Sequence, residues 1–391
     1  MIKRKILPAL IQELASDKVI VLTGMRRVGK TTLVRLLFDQ VADKRKVYLD
    51  LENPLNQEYF AETDYEKIKL NLERLSTGRA HEMTVFLDEI QYVRHIPSVV
   101  KYLSDHFGVK FILTGSTSFY LKQLFSESLA GRKRLFELDP LDFEEFLAFR
   151  SPSSQKLSTS DPVTEPTVIF FDKYLEEYLI YGGFPSVVLK ESHEEKIAEI
   201  DDIFTSYFQK EIRLFSDFRK IDTIRSTILL LAQRVGSKID VSKMAAELAT
   251  TRVTILEYLD YLEGTYFLSR IKPYSKSPDV SLRGQSKPYL ADTGLLTKIS
   301  NIGQAQAFEN LVYRLVKSRG EVFYYQSKGG AEIDFIVKNG NDTTAFEVKT
   351  RVQPTDLAKL QRAIKPLGMD KYFIVTMHYS PLPHTIYPFQ L

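Results

Sequence analysis

Eight residues constrain this chain more than any others. Gly24-Met25-Arg26-Arg27-Val28-Gly29-Lys30-Thr31 follows the spacing G-x-x-x-x-G-K-[ST], with the apolar run Val19–Thr23 before it and the amphipathic stretch Thr31–Phe38 after it. The glycines let backbone N–H groups curl toward one point beyond the strand, and the N-terminus of the next helix adds partial positive charge there. Three further apolar runs, Lys46–Leu51, Thr84–Asp88 and Val109–Thr114, are separated by helical patterns. Alternation of this kind predicts an α/β domain over residues 1–150 with a parallel sheet, because each helix must cross back over a face before the next strand begins.

A loop of this form in this strand–loop–helix context is a P-loop, the phosphate-binding loop of NTPases, and it is expected to cradle a nucleoside triphosphate. Lys30 would reach the β- and γ-phosphates and the Thr31 hydroxyl would hold Mg²⁺. Gly24, Arg27, Gly29 and Thr32 complete the expected nucleotide contacts. Hydrolysis needs a metal carboxylate and a base, and Val85-Phe86-Leu87-Asp88-Glu89 supplies both at a strand end. Asp88 would hold the ion through water, and Glu89 would orient and deprotonate the attacking water. Thr114 or Ser116, ending the next strand, would sense the γ-phosphate, and Arg132 is a candidate arginine finger acting from a neighbouring subunit. The competing reading of Arg132-Lys133-Arg134 is a solvated basic turn. No N-K-x-D segment that would read guanine occurs, so ATP is the expected nucleotide.

Composition narrows the rest. With 44% hydrophobic and 26% charged residues among 391, the chain is long enough for two or three domains with real cores. The absence of cysteine excludes disulfides, thiolate zinc sites, iron–sulfur clusters and cysteine nucleophiles together. A net charge of +3 is too weak to dictate a nucleic-acid partner, which must be argued from local patches. The basic start Met1-Ile2-Lys3-Arg4-Lys5 is followed by an apolar stretch that soon meets Gln12 and Glu13. No uncharged apolar run approaches the ~18 residues of a spanning helix, so a cytoplasmic protein without a membrane partner is expected.

Residues 151–167, rich in Ser, Thr and Pro, have little to bury and are expected to form a linker. Residues 168–290 form the middle domain. Helical spacing from Val168 is broken at Tyr181-Gly182-Gly183-Phe184-Pro185. Helices at Val241–Leu248 and Arg252–Glu263, then a strand at Thr265–Ile271, suggest a helix-turn-helix with a wing. Arg252, Arg270, Lys272, Lys276, Arg283 and Lys287 make this winged-helix region the candidate nucleic-acid surface, DNA being the expected partner. A solvated loop used for protein contacts explains the same charges.

Residues 291–391 read as helix (Ala305–Lys317), three strands (Glu321–Tyr325, Ala331–Lys338, Thr343–Thr350), helix (Thr355–Ile364) and strand (Lys371–Thr376). The middle pair is a hairpin with a turn at Asn339-Gly340, and alternation puts Glu332, Asp334, Glu347 and Lys349 on one face. A four-residue loop, Asn339–Asp342, would set Asp334 directly across from Glu347. Two carboxylates that close repel unless a cation lies between them. Mg²⁺ or Mn²⁺ would serve, with Lys349 orienting a water for phosphodiester attack. The competing reading is an amphipathic hairpin with a solvated face.

Two resemblances follow. Gly24-Met25-Arg26-Arg27, Leu87-Asp88-Glu89-Ile90-Gln91, Leu113-Thr114-Gly115-Ser116, Leu129-Ala130-Gly131-Arg132 and Leu138–Phe146 resemble prokaryotic AAA-type ATPases of the STAND-related kind. Tyr181–Pro185 and Tyr289-Leu290-Ala291-Asp292-Thr293-Gly294-Leu295 resemble the hallmarks of their C-terminal region. The hairpin spacing and the element order resemble the PD-(D/E)xK nuclease signature, a restriction-endonuclease-like fold, although Ile333 stands where that family usually has proline. That resemblance implies Asp334 and Glu347 as metal ligands, Lys349 as catalytic lysine and Glu309 as a further ligand. The AAA resemblance implies a homo-oligomer, with a hexamer expected by analogy, and branched or recombination DNA as a substrate. The expected whole is an ATPase motor or switch coupled to a metal-dependent DNA endonuclease-like domain. The alternative is a STAND-like switch whose C-terminal domain only binds nucleic acid or protein.

Overall fold

Val19–Thr23 is buried at all five positions, as a strand covered on both faces must be. It is β1 of a computed structural model that describes residues 4–41, 45–76, 83–116, 131–152, 157–212, 221–275, 284–327 and 329–391. Cα proximity divides the chain into two compact units, one formed by residues 4–139 with 264–266, the other by 140–263 and 267–391.

In the first unit, β1, β2 (Lys46–Asp50), β3 (Thr84–Asp88), β4 (Lys110–Gly115) and β5 (Lys133–Glu137) form one sheet in the order β2-β3-β4-β1-β5. Every pairing in it is parallel. Helices α1 (Leu7–Leu14), α2 (Lys30–Gln40), α3 (Tyr65–Leu75) and α4 (Ile96–Phe107) accompany the sheet. Ile68, Leu72, Val99, Val100 and Leu103 on α3 and α4 join Val85, Leu87, Phe111 and Leu113 of the strands in one buried cluster. The P-loop leaves the C-terminal edge of this sheet. β5, exposed or half-buried at every position, lies at the sheet edge, and it takes up Lys133 and Arg134, for which a solvated basic turn was the competing expectation.

The second unit opens with helices, among them α5 (Phe143–Arg150), α6 (Glu165–Tyr181), α7 (His193–Tyr207), α8 (Ile221–Gln233), α9 (Val241–Glu247) and α10 (Arg252–Gly264). The two hallmark segments meet around one buried carboxylate. Asp292, fully buried, caps α11 (Thr293–Ile299) by accepting from the Leu295 N–H at 3.0 Å. It also accepts from the Gly183 N–H at 2.7 Å and pairs with Arg314 at 3.3 Å. Burial pushes its carboxyl up, against the Arg314 charge. Gly182 has φ +74°, and a Cβ there would lie 2.0 Å from Asp292 Oδ1, so glycine is required twice over.

A seven-stranded mixed sheet completes this unit, in the order β12-β11-β10-β9-β8-β6-β7. The strands are β6 (Leu268–Pro273), β7 (Lys287–Leu290), β8 (Glu321–Gln326), β9 (Glu332–Asn339), β10 (Asp342–Lys349), β11 (Lys371–Thr376) and β12 (Thr385–Ile386). Helix α12 (Gln304–Lys317) precedes β8, and α13 (Pro354–Ile364) joins β10 to β11. β8, β9 and β10 pair antiparallel and β10 with β11 parallel, as a helical crossover requires.

Two expected boundaries look different in three dimensions. β6, the expected wing, and β7 pair with each other antiparallel, while β6 also pairs parallel with β8, so the sheet runs across the expected break at 290/291. In the expected linker, Gln390 Nε2 donates to the carbonyls of Ser158 at 2.8 Å and Asp161 at 3.1 Å, tying that stretch to the C-terminal turn.

Candidate functional site

The P-loop is built by close approach. Leu138 N–H donates to the Thr23 carbonyl at 2.7 Å, and a Cβ on Gly24 (φ +147°) would meet the Leu138 carbonyl oxygen at 2.1 Å. Arg27 (φ +64°) and Gly29 (φ +99°) are also left-handed, and alternating backbone signs turn N–H groups inward as an anion-binding nest. Lys30, buried, donates from Nζ to the carbonyls of Gly24 at 2.9 Å and Met25 at 3.0 Å, folding over the loop it is expected to serve. Thr31 is half-buried at the start of α2, and Thr32 is exposed.

Asp88 ends β3 and is 2% exposed. Tyr48 Oη donates to its Oδ2 at 2.9 Å, and Thr114 Oγ1 donates to its Oδ1. Burial, then the Asp88 charge, pushes the Tyr48 hydroxyl pKa well up, so Tyr48 stays a donor. Glu89 follows with φ +55°, its N–H donating to Thr114 Oγ1 at 3.1 Å. The expected base, metal carboxylate and sensor are therefore joined in one network at the C-terminal edge of the sheet. Sequence reasoning missed Tyr48; its only signal is a position two residues before the end of a strand that pairs with β3.

Arg132 sits elsewhere. Its carbonyl accepts from Val19 N–H and β5 begins opposite Val19, so it lies at the N-terminal edge of the sheet, a strand length of about 16 Å from the P-loop. It is half exposed and ion-paired with Asp105 at 2.7 Å. Geometry leaves it no role on its own unit's nucleotide.

The second cluster lies in the mixed sheet. β9 and β10 pair from Asn339↔Asp342 to Phe335↔Phe346, a tighter turn than expected but in the same register, which carried one step past the last paired residues would set Asp334 opposite Glu347. Asp334 Oδ2 accepts from Val348 N–H at 2.8 Å, and Lys349 Nζ donates to Glu347 Oε1 at 2.7 Å. Glu347 Oε2 is buried without a hydrogen-bond partner. Burial, then the Asp334 charge, pushes the Glu347 carboxyl up to about 7. Burial raises Asp334 as well. Burial alone would lower the ammonium pKa of Lys349, but Glu347 and Asp334 raise it.

Glu309, on α12, accepts from Tyr289 Oη at 2.7 Å, and burial followed by the Asp334 charge pushes it up to about 7. It belongs to the same electrostatic field, but it does not complete a ligand set. Among the described residues no three His, Cys, Asp or Glu side chains gather closely enough to hold a metal ion. Glu309, whose Oε1 accepts from the Tyr289 hydroxyl, is thus not gathered with Asp334 and Glu347 into the expected three-carboxylate set. The orphan oxygen of Glu347 fits a cation, since an ion held through one or two carboxylates completes its shell with water.

The basic patch is also corrected. Arg270 pairs with Asp260 at 2.7 Å and with Glu263, and its side chain is 19% exposed. Lys287 is 5% exposed, donates to Glu332 Oε1 at 2.6 Å, and lies over the Tyr324 ring. Neither is presented to a phosphate backbone, because folding places carboxylates against both. Arg252 and Lys272 are exposed. Lys276 and Arg283 lie outside the described residues.

Residues 16–147 match the AAA domain model, residues 172–306 a domain of unknown function (DUF8612), and residues 304–389 another (DUF4143). The first unit has the parallel-sheet α/β fold of P-loop NTPases. The chain as a whole is similar to an uncharacterized protein of Haemophilus influenzae, 28% identical over 369 residues covering 90% of this chain and 88% of that one. An uncharacterized protein of Methanocaldococcus jannaschii is 25% identical over 382 residues, covering 94% and 83%. Among solved structures, the Walker-type ATPase PABY2304 of Pyrococcus abyssi superposes with a TM-score of 0.51 at 16% identity, over 76% of this chain and 96% of that one, a likeness of fold. No helix among the described residues is long and apolar enough to cross a membrane.

Proposed function

We propose that this protein is an ATP-dependent DNA-processing enzyme in which the AAA-type unit hydrolyses ATP and the Asp334–Glu347 hairpin cuts phosphodiester bonds with a divalent ion. Lys30 and the loop N–H groups would hold the phosphates, Thr31 and Asp88 the Mg²⁺, and Glu89 would take the proton of the attacking water. Thr114 ties Asp88 to the backbone of Glu89. Arg132 would act on a neighbouring subunit's nucleotide, which calls for an oligomer.

The observation that carries the nuclease half is the unpartnered Glu347 Oε2 beside Asp334, in a sheet whose order is helix, three antiparallel strands, helix, parallel strand. A bound Mg²⁺ or Mn²⁺ would supply Lewis acidity and a water of lowered pKa. The chain's own groups do the rest. Asp334 is held at its angle by Val348 N–H, and Lys349 is held against Glu347, close enough to orient a water. A winged-helix use of α8–α10 with β6 and β7 would present Arg252 and Lys272 to DNA.

The test is cleavage of linear, branched and single-stranded DNA with Mn²⁺, comparing the parent chain with Asp334→Ala, alongside phosphate release from ATP with Glu89→Gln. Cleavage lost in the first variant and turnover lost in the second support both halves. ATP turnover without cleavage by the parent chain leaves a nucleotide switch with a binding domain.

A further inference from the structure

Gln91 has no part in the scheme above. It lies two residues past Glu89 in the short turn Ile90–Tyr92, half-buried. Its amide nitrogen donates to Glu89 Oε2 and, at 3.1 Å, to Ser116 Oγ. A carboxylate only accepts, so nitrogen rather than oxygen must face Glu89. That orientation leaves Gln91 Oε1 buried and without a hydrogen-bond partner. The amide nitrogen is spent on two acceptors that lie 25 residues or more apart from each other along the chain, Glu89 and Ser116. Glu89 is thus tied to the end of β4 twice, its N–H to Thr114 at 3.1 Å and its carboxylate through Gln91 to Ser116.

We infer that Gln91 is a positioning residue for ATP hydrolysis, fixing the Glu89 carboxylate through Oε2 so that Oε1 is left to act as base. The inference rests on Glu89 being that base. In the step it serves, a lone pair of the water oxygen forms the bond to the γ-phosphorus. The bond to the β–γ bridging oxygen breaks with its electron pair staying on ADP, and the water proton passes to Glu89 Oε1. A swing of the carboxylate by one rotamer would carry Oε1 out of hydrogen-bond reach, and the Gln91 amide prevents that swing. Because the same amide holds Ser116, the end of β4 and the base move together.

The experiment uses the full chain and two readouts, steady-state phosphate release and binding of a fluorescent non-hydrolysable ATP analogue. Gln91→Leu is expected to lower kcat about 10- to 100-fold, with KM and analogue affinity within about twofold of the parent. Gln91→Glu can donate to Glu89 only while its carboxyl holds a proton. Its turnover should therefore fall more steeply than the parent's between about pH 6 and pH 8, a profile no packing defect produces. An unchanged or raised kcat in Gln91→Leu overturns the inference, and so does an equal loss of kcat and analogue affinity. A parent chain that releases no phosphate, or a Glu89→Gln variant as fast as the parent, removes the base itself and the inference with it.

Discussion

Asp88 and Asp334 both lie near one end of an interior strand with a second acid beside them, and the fold accommodates them by different means. Asp88 takes two hydroxyl donors, one on each oxygen, from neighbouring strands on either side of β3. Asp334 faces Glu347 with one backbone N–H, a lysine on the partner acid, and one Glu347 oxygen with nothing to accept from. Hydroxyl dipoles stabilise a carboxylate without adding charge, so the first arrangement is complete as it stands. The second gathers like charge in a half-buried place, and raised carboxyl pKa values are the result. One site is preorganised; the other holds repulsion that a proton or a cation relieves.

The largest effect expected is at the first site. Lys30→Ala should cut ATP turnover by about 10²–10³-fold while leaving any Mn²⁺-induced rise in melting temperature unchanged. A loss of the Mn²⁺ response in this variant would show that the ion's site is not in the hairpin.

Asp334→Asn keeps an oxygen for Val348 N–H but removes one of the clashing charges. At pH 8 without metal it should raise stability by on the order of 1–2 kcal/mol in urea unfolding, and it should abolish the Mn²⁺ response. Destabilisation instead would mean that the carboxylates are already neutralised within the fold.

The pH dependence follows in size. Glu309 and Glu347, ordinarily near 4.5, are raised to about 7. Between those values the folded chain binds more protons than the unfolded one, so their contribution to stability is greatest below the lower value and is lost as pH rises through about 7. The melting temperature of the metal-free protein should fall by a few degrees across that window. Mn²⁺ should restore more of it at pH 8 than at pH 5.5, because protons compete for the same oxygens. A flat profile would erase the contrast between the sites.

The smallest effect belongs to the P-loop unit. Lys46 Nζ donates to the carbonyls of Phe38 at 2.5 Å and Val41 at 2.8 Å, closing the C-terminal end of the P-loop helix. Lys46→Met should cost about 0.5–1 kcal/mol, read as a small shift in the urea midpoint with ATP affinity unchanged.

Much of this architecture was legible residue by residue. Thr84–Asp88, Lys371–Thr376 and the flanks of Gly24–Thr31 are strands or helices where apolar period and loop chemistry say they should be. Hairpin register was legible too, because alternation and an Asn-Gly turn leave little freedom, and so Asp334 could be set against Glu347. The edge strands β5 and β7 were not, since both begin with a lysine that belongs to a basic stretch and are too short for an apolar pattern to stand out. Nor was the fate of Arg270 and Lys287, whose neutralising partners were not read from the sequence: Glu332 is 45 residues from Lys287, and Asp260 and Glu263 lie on the preceding helix.

Local chemistry alone settled where phosphate-gripping backbone and paired acids would occur, because spacing, glycine content and strand alternation act over a few residues. Which charges remain available was decided only by tertiary structure. Tyr48 reaches Asp88, Tyr289 donates to Glu309 and Gln91 spans Glu89 to Ser116 through contacts whose directions no short-range rule encodes. A carboxylate's behaviour depends on the dielectric and donors around it, and those are supplied by whichever distant segments the packed core brings alongside.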